Sequence, residues 1–321
     1  MAHRPSIARL LALAPPTLGR GVLLLALVCW GGAFSSALDG LNHFAPFWLV
    51  FSVAALAFCV AAGAQARGWA AFCAVAVIAQ IGIIAPEFVR SGAGHAAPAQ
   101  AGQQVRVIWL NTWLGGRGSE DVLRYLEASG ADFLLVSELH DEGQPEYQRL
   151  RELYPTVIRC QGEHECNTTI YARRTPVAQS TPAGLRVAIG EFDIDGAPLR
   201  LIAAHAARPN PPGRQQRELA ALAGIITDGD TENCILGGDF NSTPWSFTLR
   251  HFDQASELQR HTRAMPTWPA QEWTRFRLSA LFAFLPIDHM YSGARWRLVS
   301  LRRGPRTSSD HFPIEATFQA R

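Results

Sequence analysis

The segment LGGDFNSTPWS, Leu236 to Ser246, places an acid, an amide and two hydroxyls directly behind an apolar run, CILGG. Asp239, Asn241, Ser242 and Thr243 arrive where a strand pattern stops, and Pro244 follows. Polar groups at the carboxyl edge of a sheet are held by a rigid strand and can face a ligand from the loop beyond it. The same residue types build Asx turns and helix N-caps, so this segment alone is open to either reading. Similar placements recur along the chain. Asn111 ends VIWLN, Glu138 ends FLLVSE and His205 ends LIAAH. Asp288 and His289 open IDHMY, and SSDHFP sets Ser309, Asp310 and His311 before the last strand pattern. A single residue of this kind is explained by a cap or a satisfied core group. A series of strand ends carrying Asn, Glu, His and Asp is not, because an uncompensated buried carboxylate costs on the order of several kcal/mol. A shared cation and a shared anionic substrate would offset that cost together.

These residues need elements to position them. After a Gly-, Ala-, Pro- and Gln-rich linker at 91–104, apolar periodicity resumes, which sets a domain at 105–321. VRVIWLNTW and DFLLVSEL read as buried strands, and SEDVLRYLEAS between them has helical spacing with a Ser119 cap. NTTIYAR, LRVAIGEFDI and LRLIAAHA read as three more strands, with a turn at Asp195–Gly196 between the last two. RQQRELAALAGIITD is an amphipathic helix, the stretch from about 257 to 286 is irregular, and HMYSG, WRLVSLRR and IEATF close the chain as short strands. Helices interrupt runs of strands rather than alternating with them. The pattern therefore favours an α/β sandwich of two mixed sheets over a doubly wound parallel sheet. GGRG at 115–118 lacks the spacing of a phosphate-binding loop and reads as a turn.

Residues 1–90 are of a different kind. Three apolar stretches at 21–38, 46–64 and 69–86 carry no charged residue. Each comes close to the ~20 residues that cross a bilayer as a helix. A cleaved signal peptide is the alternative for the first, and the other two would still anchor the chain. A lipid-modified Cys29 is disfavoured by the bulky Val28 before it. Arg4, Arg9 and Arg20 precede the first stretch and Arg67 lies between the second and third, so the N-terminus is expected inside and the chain beyond about residue 87 outside the cell membrane. Cys29, Cys59 and Cys73 lie in the apolar stretches. Cys160 and Cys166 flank QGEHE, with a hairpin-closing disulfide suited to an oxidising compartment as the leading reading and a metal site with His164 as the rival. Cys234 reads as a buried, inert thiol.

LNTW, SEL, GDFNSTP, PIDHMYS and SSDHFP, in this order, resemble the endonuclease/exonuclease/phosphatase superfamily of divalent-metal phosphoesterases over about 105–318. The resemblance implies a four-layer α/β-β/α sandwich of two mixed β-sheets, here preceded by about three transmembrane helices. With those helices, it points to the membrane-anchored extracytoplasmic branch that includes members linked to glycopeptide resistance. It implies Glu138 as metal ligand with Asn111 and Asp310 beside it, for Mg²⁺ or alternatively Mn²⁺, ions that prefer hard oxygen donors. His311 would be the general base, oriented by Asp288 and poised near neutral pH. Asp239 would orient the attacking water, while Asn241 and His205 donate to phosphoryl oxygens. Arg208, in HAARP, is expected as a further phosphate contact, with a simply exposed Arg as the alternative. SEL stands where many relatives have Gln before Glu, a change beside Glu138. His289 and Tyr171 could reach the site, although structural roles suit them better.

The substrate is less constrained. Residues 101–321 hold twenty-four Arg and twenty-five acids, and the chain has no lysine. A net charge of about −1 does not supply the basic groove that a polynucleotide favours, although Arg302, Arg303 and Arg306 cluster near SSDH. A site tethered beside a bilayer meets phospholipids and lipid-linked pyrophosphates at high effective concentration. RLSALFAFLP (277–286) is apolar and runs into the Asp288 motif, as an interfacial segment or a core helix. The leading expectation is hydrolysis of an extracytoplasmic, lipid-linked or other phosphate or pyrophosphate ester by in-line water attack. A membrane-tethered nuclease is the alternative, and a non-catalytic scaffold binding phosphorylated ligands the second.

Overall fold

The computed structural model describes residues 7–89, 103–113, 119–139, 145–161, 166–270, 272–273, 278–279 and 282–321. Residues 91–102 of the expected linker, the GGRG turn and His164 lie outside them. The chain divides into two compact units, Met1–Arg90 with Trp245–Phe247, and Ser91–Pro244 with Thr248–Arg321.

In the first unit, α1 (Ile7–Gly31), α2 (Ser36–Asp39), α3 (Ala45–Ala61) and α4 (Arg67–Val89) follow one another, with short 3₁₀ turns between α2 and α3 and between α3 and α4. Three spans, Leu13–Gly31, Ser36–Ala61 and Ala64–Val89, are long and apolar enough to cross a membrane. The helices meet on small side chains, among them Ala26, Ala55, Cys59, Cys73 and Ala76, which allow close backbone approach. The first apolar stretch, expected to run unbroken over 21–38, is broken: α1 stops at Gly31. There the Asn42 side chain donates to the Cys29 carbonyl at 2.9 Å and to Asp39 Oδ1 at 3.0 Å, occupying the space a Cβ on Gly32 would need.

The second unit begins with β1 (Gln104–Asn111), α5 (Ser119–Ala128), β2 (Phe133–Ser137), α6 (Gln148–Leu153), β3 (Thr156–Arg159) and β4 (Thr168–Ala172). It continues with β5 (Ala178–Ser180), β6 (Val187–Ile194), β7 (Ala197–His205), α7 (Arg214–Thr227), β8 (Cys234–Asp239) and α8 (Phe247–Ala255). The short strands β9 (Gln259–Arg260), β10 (Glu272–Trp273) and β11 (Leu278–Ser279) lead to β12 (Asp288–Ser292), β13 (Trp296–Arg303) and β14 (Ile314–Ala320). Two six-stranded sheets result, in the orders β13-β14-β1-β2-β4-β3 and β5-β6-β7-β8-β12-β9, with β10 and β11 pairing by themselves. Both sheets are mixed: β1–β2 and β7–β8 run parallel and the other pairs antiparallel.

Between the sheets lies one apolar layer that takes Trp109, Phe133 and Leu135 from the first and Phe192, Leu201, Ile235 and Met290 from the second. A second cluster covers the outer face of β6–β8 with Leu219, Leu222 and Ile226 of α7 and Leu249 and Phe252 of α8. A third packs Val122, Leu126 and Leu150 of α5 and α6 on β1 and β2. The layers are thus helix, sheet, sheet, helix, as expected. Strands buried on both faces read as continuous apolar runs, which is why CILGGD is buried throughout. The pair before Asp239 is glycine for lack of room: a Cβ at Gly237 would meet Leu135 and Met290 at 2.7 Å, and one at Gly238 the Ala204 carbonyl at 2.5 Å. Asp195 and Gly196 form the expected tight turn, both with positive φ, at 53° and 93°. The described residues of RLSALFAFLP are not helical: Leu278–Ser279 form β11, Phe282 is exposed, and Leu285 bridges to Trp268.

Candidate active site

Strand register brings the chemistry-bearing residues together. In the second sheet His205 lies opposite Asp239, and Asp239 opposite Asp288, so three adjacent strands present His, Asp and Asp in one row. In the first sheet Asn111 pairs with Ser137, which sets Glu138 one residue beyond on the same edge. His311 joins them from the loop just ahead of β14, the strand that pairs with β1. Asn241 and Glu138 hold positive φ values of 48° and 58°. Such non-glycine residues carry strain that clusters at functional sites.

Asp288 and His311 form a tight pair, with Nδ1 2.8 Å from Oδ2. Two further donors reach the same carboxylate: Trp109 Nε1–H at 2.8 Å and Thr267 Oγ1–H at 2.5 Å. Burial alone would raise the Asp288 pKa, but the His311 charge and these hydrogen bonds hold it below the usual carboxylate range. Burial also opposes a charge on His311; Asp288 outweighs it, helped by Asp239 and Asp310, and raises the imidazole to about 10. The site without a cation therefore keeps His311 protonated, where the sequence reading set it near neutrality. The reason is the number of acids that turn to one ring. His311 Nε2 points at Asp239 Oδ2 and Asp310 Oδ1, each at 3.8 Å, too far for a direct hydrogen bond.

Asp239 is the hub. Its Oδ1 accepts the Asn241 N–H at 2.7 Å, and its Oδ2 accepts Asn111 Nδ2–H at 3.1 Å. Burial, then the charge of Asp288, raises its pKa. His205 Nε2 lies 3.8 Å from the same Oδ2 and 3.7 Å from Glu138 Oε1. Burial, with Arg186, His311 and Arg208 adding positive charge, keeps the His205 pKa well below its ordinary value. Arg208 is exposed within electrostatic reach of that ring. Asn241 Nδ2 donates to the Ala206 carbonyl at 3.0 Å, which fixes the loop after β8.

Glu138, Asn111 and Asp310 suit a divalent cation by donor type. Asn111 Nδ2 donates to Glu138 Oε1 at 3.2 Å, and its Oδ1 accepts the Trp113 N–H. Asp310 Oδ2 accepts Trp268 Nε1–H at 3.0 Å, whereas the buried Oδ1 has no hydrogen-bond partner among the described residues. Burial, the leading cause, raises the Asp310 pKa. An orphaned buried carboxylate oxygen close to a second carboxylate is what a hard cation satisfies. Among the described residues, Asp239, Asp288 and His311 offer one ligand atom each, all within 4.8 Å of one another. Asp288 and His311 of this group are already bonded to each other through Oδ2 and Nδ1.

Some residues fall outside this set. His289 is fully buried, donates from Nε2 to the Ser242 carbonyl at 2.8 Å and meets Thr262 Oγ1 through Nδ1 at 3.0 Å. Burial, aided by the Arg260 charge, lowers it to about 3, so it is a neutral brace under the loop after β8. Tyr171 lies in the core beneath α5 and α6, away from the row. Arg302 is bound to Glu315, while Arg303 and Arg306 set their guanidinium carbons 4.2 and 5.2 Å from the Phe312 ring centre. Cys160 and Cys166 are joined in a disulfide, which removes both as metal ligands. Sequence reading missed Trp109, Thr267 and Trp268 as partners of the acids. Trp109 was within reach of pattern reasoning, two residues before Asn111 and so on the same strand face. Thr267 and Trp268 carry no such signal.

The family model described as Endonuclease/Exonuclease/phosphatase matches residues 108–311, and the chain belongs to this family. Its members are typically metal-dependent phosphoester hydrolases, and the buried Asp/His cluster agrees with divalent-metal chemistry. No curated protein matches the sequence. Among solved structures, D. rerio TDP2 complexed with a single-strand DNA product is similar at a TM-score of 0.54 and 15% identity, over 68% of this chain and 99% of that one. A beta toxin from Staphylococcus aureus is similar at 0.52 and 10% identity, over 66% and 99%. An endonuclease/exonuclease/phosphatase family protein from Bacteroides thetaiotaomicron is similar at 0.51 and 15% identity, over 69% and 99%. At such identities the likeness is one of fold.

Proposed function

We propose that this chain is a membrane-anchored, metal-dependent hydrolase of an extracytoplasmic, lipid-linked phosphate or pyrophosphate ester. The observation that carries the catalytic part is the convergence of Asn111, Glu138, His205, Asp239, Asp288, Asp310 and His311 on one edge of the sandwich, with both imidazole Nε2 atoms directed at carboxylates they do not bond. Glu138 and Asp310, with Asn111 beside them, would hold Mg²⁺ or Mn²⁺. Such an ion would offset phosphate charge and part of the carboxylate charge around His311. His311 Nε2 is placed to take the proton of a water that Asp239 orients, and Asp288 retains the ring through Nδ1. Water oxygen bonds to phosphorus as the bond to the ester oxygen breaks in line. His205, Asn241 and Arg208 serve the phosphoryl oxygens as charge develops on them.

The lipid-linked substrate is supported by the three apolar helices and by the near-neutral charge of residues 101–321. The positive residues of the N-terminal tail favour an inner-membrane protein with its catalytic domain in the periplasm or outside the cell, and the disulfide suits that compartment. The test is phosphate release by the full-length chain in detergent, with Mg²⁺, from a polyprenyl pyrophosphate, a phospholipid and plasmid DNA. Release from a lipid, lost with EDTA and in His311→Ala, is expected. Faster cleavage of DNA than of either lipid would replace the lipid reading with a tethered nuclease, and equal activity of wild type and His311→Ala would remove the enzyme reading.

A further inference from the structure

His205 has a partner that neither the motifs nor the proposed chemistry assigns. Its Nε2 faces Glu138 and Asp239, and its Nδ1 lies 3.2 Å from Oδ1 of Asn167. The carbonyl of the same Asn167 accepts the Glu138 N–H at 2.8 Å. Glu138 has positive φ, a conformation that persists only when its surroundings hold it. One residue thus grips an imidazole by its side chain and the neighbouring carboxylate residue by its backbone. Asn167 is in turn fixed on its N-terminal side. Cys166 is bonded to Cys160, the residue just past β3, and the Cys160 N–H donates to the Thr168 carbonyl at 3.0 Å while the Thr168 N–H reaches Cys160 Sγ at 3.3 Å.

We propose that Asn167 is a positioning residue for His205 and Glu138, and that the Cys160–Cys166 disulfide holds it in place. The proposal rests on the hydrolase reading above. Without the side-chain amide the ring of His205 can turn about its χ2 angle, and Nε2 leaves the position from which it serves a phosphoryl oxygen. Small misplacements of this kind act on turnover more than on substrate capture.

The test uses the full-length chain in detergent with Mg²⁺ and whichever probe above it hydrolyses fastest. Asn167→Ala is expected to lower kcat about tenfold with KM within about twofold. Asn167→Asp, which keeps an oxygen at the same reach, is expected to restore most of it. In a His205→Ala background Asn167→Ala should cost less than about twofold, because the residue it serves is gone. Cys160→Ser/Cys166→Ser should lower kcat in the same direction and add little to Asn167→Ala. Histidine ¹⁵N resonances supply a readout independent of turnover: Asn167→Ala should shift the His205 Nδ1 signal and leave that of His311 Nδ1 in place. Full kcat in Asn167→Ala, an equal loss with and without His205, or an unmoved His205 signal overturns the positioning role. Wild-type kcat in the double serine variant overturns the part assigned to the disulfide. A wild type inactive on every probe would instead refute the hydrolase reading, and the resonances would still decide whether Asn167 holds His205.

Discussion

Asp288→Asn perturbs the centre of the site with the least change of shape. The wild-type carboxylate is fully buried and accepts from Trp109 and His311 at 2.8 Å and from Thr267 at 2.5 Å. An amide of the same outline has one acceptor oxygen, so its NH₂ must face at least one of those donors. A hydrogen bond to a charged group is worth about 1.5–3 kcal/mol, and stability at pH 7 should fall by about that much. The consequence for His311 is larger. Asp288 is the main group that overcomes burial and raises this imidazole from 6.5 to about 10. A raised folded pKa contributes stability that is complete below the unfolded value and is lost as pH rises through the folded one. In EDTA, wild type should therefore lose stability between about pH 6.5 and about 10, at up to about 1.4 kcal/mol per pH unit, while the variant stays nearly flat. With Mg²⁺, loss of the oriented base should cost about 10²–10⁴ in kcat with little change in KM. Thermal unfolding at a series of pH values and steady-state hydrolysis measure both effects. A variant with kcat within about threefold of wild type and the same alkaline slope would refute the account of the pair.

Other consequences can be checked in the same preparations. Glu138→Gln and Asp310→Asn should each weaken Mn²⁺ binding by about tenfold or more, read by calorimetry, because each replaces a charged oxygen donor by a neutral one. Gly238→Ala should cost about 2 kcal/mol and lower kcat, since its Cβ would press on the Ala204 carbonyl beside the His205–Asp239 pair. Unchanged stability there would mean that β7 and β8 part freely. Glu315→Gln addresses acid stability away from the site. Burial opposes the Glu315 charge, but Arg302, Arg106 and Tyr125 hydrogen-bond it and hold its pKa below 4.5. That stabilisation is complete above about pH 4.5 and is lost as pH falls through the lowered value, so the variant should be about 1 kcal/mol less stable at pH 7, with the gap closing below about pH 4. A gap that persists at pH 3 would assign the loss to packing.

How much was legible follows from which interactions are local. Strand ends could be read because strands buried on both faces leave unbroken apolar runs, and Asn111, Glu138, His205 and Asp239 stand where those runs stop. The sandwich was legible for the same reason, as was the tight turn at Asp195–Gly196. Pattern reasoning failed where the cause is distant in sequence. The break after Gly31 comes from Asn42, and the described residues of the apolar segment 277–286 are not helical, Leu285 pairing instead with Trp268. Roles within the site divide in the same way. Residue types at the ends of apolar runs were legible as oxygen donors, imidazoles and amides at strand termini. Only the fold decided that His311 would face three carboxylates at once and keep its proton, that Trp109 and Thr267 would hold Asp288, and that Asn167 would hold His205. Side-chain chemistry is written residue by residue, whereas a pKa depends on the charges and the burial around a group, and those exist only once strands far apart in the chain lie side by side.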